Sequence, residues 1–262
     1  MRKLSEVRLF LLDMDGTFYL EDKLLPGATE FLAACTQKNI PYTFLTNNSS
    51  KSGEAYIQKL AGLGVQVSPQ QMFTSGDATL LYLRKNGFAK QLLLVGTPSL
   101  EEQFTAEGYQ LNTAAPKAVV LGFDTGITYQ KLTNLCNAVR AGLPYIATHP
   151  DFNCPVQGGY IPDIGAVIAF VQAATGRLPD VVVGKPNGLI AQMAAQRFNL
   201  PVQQLCMVGD RLYTDIALGR AGVQTALVLS GESTREDLAT SEFVPDHVFK
   251  NLAEMTQALL AE

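Results

Sequence analysis

Short apolar runs that stop abruptly at a glycine or a polar cluster recur along this chain, and stretches of helical periodicity separate them. That alternation leaves few architectures open. Strands and helices taking turns along a chain argue for a parallel sheet with helices on both faces. The first run, Val7-Arg8-Leu9-Phe10-Leu11-Leu12, reads as a buried strand and ends at Asp13-Met14-Asp15-Gly16-Thr17. Ala28 to Gln37 reads as a helix entered through Pro26-Gly27, and Tyr42 to Leu45 as a short strand ending at Thr46. Ser52 is the expected N-cap of a helix running to Leu63, with Gly64 as its stop. Further on, Asp180 to Val183 reads as a strand ending at Gly184-Lys185, and Gly188 to Phe198 as a helix. Leu205 to Val208 reads as a strand ending at Gly209-Asp210, and Thr225 to Leu229 as the last core strand.

The middle repeats the alternation by itself. Strand signals at Leu92–Val95, Ala118–Phe123 and Tyr145–Thr148 are interleaved with a helix near Leu100–Ala106. A second helix carries Leu132, Leu135, Cys136 and Val139 at i, i+3, i+4, i+7 spacing, and a third carries Ile164, Val167, Ile168 and Val171. The expected organisation is a doubly wound, Rossmann-like α/β core over residues 1–80 and 180–262, with an α/β domain over 81–179 inserted between its halves.

The chain has 262 residues, ample for a buried core. Its net charge of -4 comes without a basic block, which argues against a nucleic acid polymer as partner. No apolar stretch approaches a membrane span, and Met1–Glu6 leads straight into a strand without a signal-peptide core. The four cysteines form no Cys-x-x-Cys pair, which argues against a disulfide framework or zinc knuckle. A cytoplasmic protein is the expectation.

The candidate chemical groups all stand just past the expected strands: Asp13 and Asp15, Thr46 and Asn47, Lys185, and Asp210, with Asp215 one helical turn on. In an open parallel sheet such ends share one crevice. One carboxylate can attack a phosphorus while its neighbour carries a proton, the skeleton of phosphoryl transfer. Lys185, the Thr46 hydroxyl and an Asn47 backbone donor can meet the phosphoryl oxygens. Crowded carboxylates would repel a phosphate unless a hard cation were bound, and such ligands suit Mg²⁺.

Plainer readings compete. Asp-Gly after a strand is often only a turn, a lone lysine is usually solvated, and Asp215 can merely decorate a helix. His149, Asp151 and Cys154 are spaced only loosely like metal ligands, and Pro150 and Pro155 suggest an irregular loop from Asp151 to Gly159. A substrate-facing loop is expected there. Asn47-Asn48-Ser49 matches a glycosylation pattern by accident, His247 is structural, and Leu252, Met255 and Leu259 pack the core.

Taken together, Asp13-Met14-Asp15-Gly16-Thr17, Thr46-Asn47-Asn48-Ser49, Gly184-Lys185-Pro186 and Gly209-Asp210-Arg211-Leu212-Tyr213-Thr214-Asp215 resemble the four motifs of the haloacid dehalogenase superfamily, in order. The large insertion resembles the C2-type cap of the subfamily IIA phosphatases, the NagD, 4-nitrophenyl phosphatase and phosphoglycolate phosphatase group. Leu121-Gly122-Phe123-Asp124 and Ala147-Thr148-His149-Pro150-Asp151 resemble segments of that cap. The resemblance implies Asp13 as nucleophile and Asp15 as the acid and base that also lends a backbone carbonyl to Mg²⁺. It implies Thr46, Asn47 and Lys185 on the phosphate, Asp13 and Asp210 on the metal, Asp215 behind them, and His149 and Asp151 facing substrate. The implied activity is Mg²⁺-dependent hydrolysis of a small phosphate monoester: a sugar phosphate, a nucleoside monophosphate, phosphoglycolate or 4-nitrophenyl phosphate. A phosphotransferase or mutase with the same nucleophile, and a non-catalytic binding protein on this scaffold, remain as alternatives. Caps of this type often associate, which leaves a homodimer open.

Overall fold

Leu9–Leu12 is buried at every residue, as a strand covered on both faces must be. In a computed structural model of the protein, describing residues 3–156 and 158–262, this strand lies in the middle of its sheet. It runs parallel to Leu205–Gly209 on one side and to Tyr42–Thr46 on the other. The registers pair Leu12 with Val208 and with Phe44. Gln224–Val228 and His247–Phe249 extend the sheet beyond Leu205–Gly209, and Met72–Thr74 lies outside Tyr42–Thr46. The chain therefore leaves its first strand toward one edge and later returns to fill the other. Asp13 and Asp210 follow the two strands at that reversal, the place where open α/β sheets bind ligands.

Helix Ala28–Gln37 packs against Leu252–Ala261. The first contributes Phe31, Leu32 and Cys35 and the second Leu252, Met255 and Leu259 to one core cluster. Phe10 reaches the same cluster and meets the Phe31 ring edge-on at 5.2 Å. Ser52 caps helix Gly53–Gly62 through its hydroxyl, which accepts from the Ala55 N–H at 3.3 Å.

Among the described residues the chain divides into two compact units, one of Met1–Thr46, Tyr56–Phe73 and Lys185–Glu262, the other of Asn47–Ala55 and Thr74–Gly184. The second unit has its own sheet, in the order Val181–Val182, Tyr145–Ala147, Ala118–Leu121, Gln91–Val95, Gln110–Leu111, with parallel pairs throughout. Its core joins Val119, Leu121 and Tyr145 to Leu135 and Val139 of helix Tyr129–Arg140 and to Ile168 and Val171 of helix Ile164–Thr175.

Four readings from sequence differ from this structure. The valine run expected as a core strand is only Val181–Val182, and it pairs with Tyr145–Ala147 in the second sheet. Asp180 anchors it there by accepting the Tyr145 N–H at 2.7 Å. The return to the first unit thus falls at Lys185 and not at residue 180, and the earlier crossings fall at 46/47, 55/56 and 73/74 and not at 80. The expected irregular loop Asp151–Gly159 is largely a hairpin, Asn153–Val156 antiparallel to Gly159–Pro162; an outer strand tolerates Pro155 because its missing N–H disturbs no neighbour. Gln224–Val228 is not the last core strand, since the short and half-buried His247–Phe249 pairs beyond it. Met1, Arg2 and residue 157, on which the leader and turn readings touch, lie outside the described residues. No helix among the described residues is long and apolar enough to cross a membrane.

Phe10→Ala should lower unfolding free energy by about 3–5 kcal/mol, the usual result of deleting a fully buried aromatic ring. Urea titration checks this, and a loss below about 1 kcal/mol would mean the ring does not carry the core as described.

Candidate active site

In the first unit, Lys185 is 3% exposed. Its ammonium donates to Asp13 Oδ1 at 2.5 Å and to Asp215 Oδ1 at 2.7 Å. Asp13 stands at the end of the first strand and its backbone N–H bonds the Val208 carbonyl at 2.9 Å. Asp215 is the residue before the 3₁₀ turn Ile216–Ala221, but its side chain turns back to accept the Arg211 N–H at 3.1 Å. A helix-decorating role for Asp215 is therefore not what its contacts describe. Oxygens of Asp13, Asp210 and Asp215 all lie within 4.8 Å of one another.

Asp210 is fixed from two sides. Its Oδ2 accepts the Glu232 N–H at 2.7 Å and its Oδ1 the Thr17 hydroxyl at 3.2 Å. Two glycines make room for it. A Cβ on Gly231 would meet Asp210 Oδ2 at 2.0 Å, and one on Gly16 would meet it at 2.4 Å, where φ is also +82°. Glu232 is itself held by Arg211 Nε at 2.9 Å and by the Tyr213 hydroxyl at 2.6 Å. Ser230 donates to the Gly16 carbonyl at 2.9 Å. Asp15 is exposed at the same turn and accepts the Tyr19 hydroxyl at 3.5 Å. Thr46 is buried at the end of its own strand.

Lys185 is shared by Asp13 and Asp215 with Asp210 close by, so the three carboxylates carry more negative charge than that one ammonium offsets when all are ionised. Burial pushes the Asp13 carboxyl up to about 8, with Lys185 opposing and Asp215 and Asp210 adding to the rise. Burial, then Asp215, pushes Asp210 up to about 6. Lys185 is held above its ordinary value because Asp13 and Asp215 outweigh the effect of its burial. A set of carboxylate oxygens around a deficit of positive charge fits a hard divalent cation.

In the second unit, Asn47, His149 and Asp151 come together. Asn47 Nδ2 donates to Asp151 Oδ1 at 3.2 Å and Oδ2 at 3.1 Å. His149 is fully buried, with Nδ1 at 3.0 Å from the Thr148 hydroxyl and Nε2 at 3.0 Å from Asp163 Oδ1. Oxygens of Asp151 and Asp163 and a His149 ring nitrogen also lie within 4.8 Å of one another, but both ring nitrogens already have protein partners. Cys154 lies outside that group.

Sequence reasoning gave no role to Thr17, Ser230, Glu232, Ser49, Thr148 or Asp163. Asp163 had a usable signal, an aspartate directly before an apolar helix, and it does cap Ile164 at 2.6 Å. Ser230-Gly231-Glu232-Ser233 had a weaker one, a turn-forming cluster just past a strand.

Comparison with known proteins agrees over almost the whole chain. A family model for haloacid dehalogenase-like hydrolases matches residues 10–110, and a HAD-hydrolase-like model matches residues 182–255. An acid sugar phosphatase of Staphylococcus aureus is 32% identical over 96% of this chain and 97% of its own length. The crystal structure of a 4-nitrophenylphosphatase from Thermotoga maritima is 47% identical, covers 98% of each chain and superposes with a TM-score of 0.94. NagD from Escherichia coli K-12 is 31% identical, covers 95% of this chain and 98% of its own, and superposes at 0.88.

Lys185→Met, which leaves Asp13 and Asp215 buried without a counter-charge, should lower stability by about 3–5 kcal/mol in chelator; an unchanged urea midpoint would contradict the buried triad. Asp210 binds its proton more tightly in the folded state than in the unfolded chain. Cation-free protein should therefore lose stability as pH rises from about 4 to 6. The wild-type minus Asp210→Asn difference isolates this group, and a flat or rising difference across that window would refute the assignment.

Proposed function

This chain belongs to the haloacid dehalogenase-like hydrolases, and we propose that it is a phosphatase releasing inorganic phosphate from small monoesters, sugar phosphates foremost, through an aspartyl-phosphate on Asp13. The observation that carries this reading is the Lys185 ammonium shared by Asp13 and Asp215 beside Asp210. It gives a nucleophilic carboxylate, a fixed positive charge for the phosphoryl oxygens and a cation-suited cluster in one place. The names of the acid sugar phosphatase and 4-nitrophenylphosphatase relatives support the substrate class.

Asp13 Oδ attacks phosphorus and the ester bond breaks toward the leaving oxygen, which takes a proton from Asp15. Asp15, now ionised, removes a proton from the water that attacks the phosphorus of the aspartyl-phosphate. The P–O bond to Asp13 breaks, phosphate leaves, and both aspartates return to their starting states. The exposed position of Asp15 suits a group that must meet both a leaving alcohol and water. Lys185, Thr46 and Asn47 hold phosphoryl oxygens and keep them aligned. Asp13, Asp210 and the Asp15 carbonyl would hold Mg²⁺, with Asp215 keeping Lys185 and the loop at Arg211 in place; the ion would neutralise phosphoryl charge. Residues 81–179 are assigned as a C2-type cap that selects among esters. Four free cysteines support a cytoplasmic location, and a homodimer fits the resemblance.

Purified protein with Mg²⁺ should release phosphate from 4-nitrophenyl phosphate and from members of a sugar phosphate panel. Asp13→Asn should drop turnover by about 10⁴-fold or more while the fold persists, as loss of a nucleophile does elsewhere. Retained turnover in that variant would sink the nucleophile assignment. Consumption of ester without free phosphate, in the presence of an alcohol acceptor, would instead identify a phosphotransferase.

A further inference from the structure

Resting on the reading of Asn47 as a phosphate-holding residue, we infer that Asp151 is a positioning residue for the phosphate-binding loop and does not contact the substrate's leaving group. Asn47, Asn48 and Ser49 belong to no helix or strand, and side chains of the same unit bond to this stretch. Both Asp151 oxygens face Asn47 Nδ2, at 3.2 and 3.1 Å. An amide nitrogen has two hydrogens, and this carboxylate faces it with both oxygens. The Asn47 carbonyl accepts from the Ser75 hydroxyl. Two residues on, the Ser49 hydroxyl bonds Thr148 Oγ1 at 3.0 Å and accepts the Phe123 N–H at 2.9 Å. The Ser50 carbonyl accepts the Thr97 hydroxyl at 2.9 Å.

The stretches Leu121–Asp124 and Ala147–Asp151, the second expected to face substrate through His149 and Asp151, supply brackets for this loop through Phe123, Thr148 and Asp151. Asp151 is itself immobilised. Its carbonyl accepts the Gly165 N–H at 2.8 Å at the start of helix Ile164–Thr175, where a Cβ on Gly165 would come within 2.4 Å of the Pro150 carbonyl. Two residues earlier, His149 is locked between Thr148 and Asp163. A carboxylate held this way and committed to an amide is poorly suited to meet an anionic ester, which it would repel. It is well suited to fix the peptide of Asn47.

The two roles separate kinetically. A residue that shapes the phosphate-binding loop acts on the group every substrate shares; one that touches the leaving group acts differently on each ester. Asp151→Ala and Asn47→Ala should each raise KM for 4-nitrophenyl phosphate and for two unrelated sugar phosphates by about tenfold, the size of a lost hydrogen bond to a charged group. The inhibition constant of inorganic phosphate, which has no leaving group, should rise by the same factor, with kcat changed less. The double variant should be no worse than the worse single one, because both break one interaction. Asp151→Asn keeps an acceptor and should recover part of the loss; if the alanine variants fail to fold, the parallel movement of KM and phosphate inhibition in Asp151→Asn decides the matter. Unchanged phosphate inhibition, KM shifts that differ among esters, or multiplying factors in the double variant would each overturn the proposal. Absence of phosphate release by the wild type would defeat the underlying phosphatase reading instead.

Discussion

A single ammonium group carries the electrostatics of the first unit. Lys185 is bonded to carboxylates 172 and 30 residues away in sequence, and nearly all three groups' charge lies out of solvent. Taking charges out of water is unfavourable unless partners and geometry offset it. The rest of the unit supplies that geometry. Parallel strands set the ends at which Asp13 and Asp210 stand, the turn after Gly209 sends Asp215 back, and small residues at 16 and 231 let the acidic side chains approach. Remove the ammonium, and Asp13 and Asp215 lose the positive charge they share, beside an Asp210 that is held by the Thr17 hydroxyl and the Glu232 N–H.

Much of this was legible because the relevant signals are local. A run such as Leu9–Leu12 announces a strand, and the polar residue that ends it announces an edge of the sheet. Asp13 and Asp210 could be placed that way. Lys185 was harder, since its preceding valines look like core strand yet pair with Tyr145–Ala147. Hydrophobic pattern reports that a strand is covered, not which sheet covers it. Short outer strands such as His247–Phe249 are weaker still, because half-buried three-residue segments leave little periodicity to read.

The contacts that hold the functional side chains were the least readable. Thr17 reaches Asp210 across 193 residues, and Asn47 reaches Asp151 across 104. Nothing in the spacing of either pair predicts a meeting; only the folded loops decide it. Polar groups buried in such loops are costly unless satisfied, so Ser49, Thr148, His149 and Asp163 form a continuous chain of hydrogen bonds. His149 illustrates the consequence. Expected from the sequence to face substrate, it is a fully buried link in that chain.

The central position of Leu9–Leu12 bears on how the protein comes into being. Its neighbour on one side is available after some thirty residues, but the other, Leu205–Gly209, is synthesised almost two hundred residues later. Until Leu205–Gly209 is present, that side of the strand has no partner in this sheet, and an unpaired apolar edge is the kind of surface that recruits other chains. Such long-range closure is also intrinsically slow.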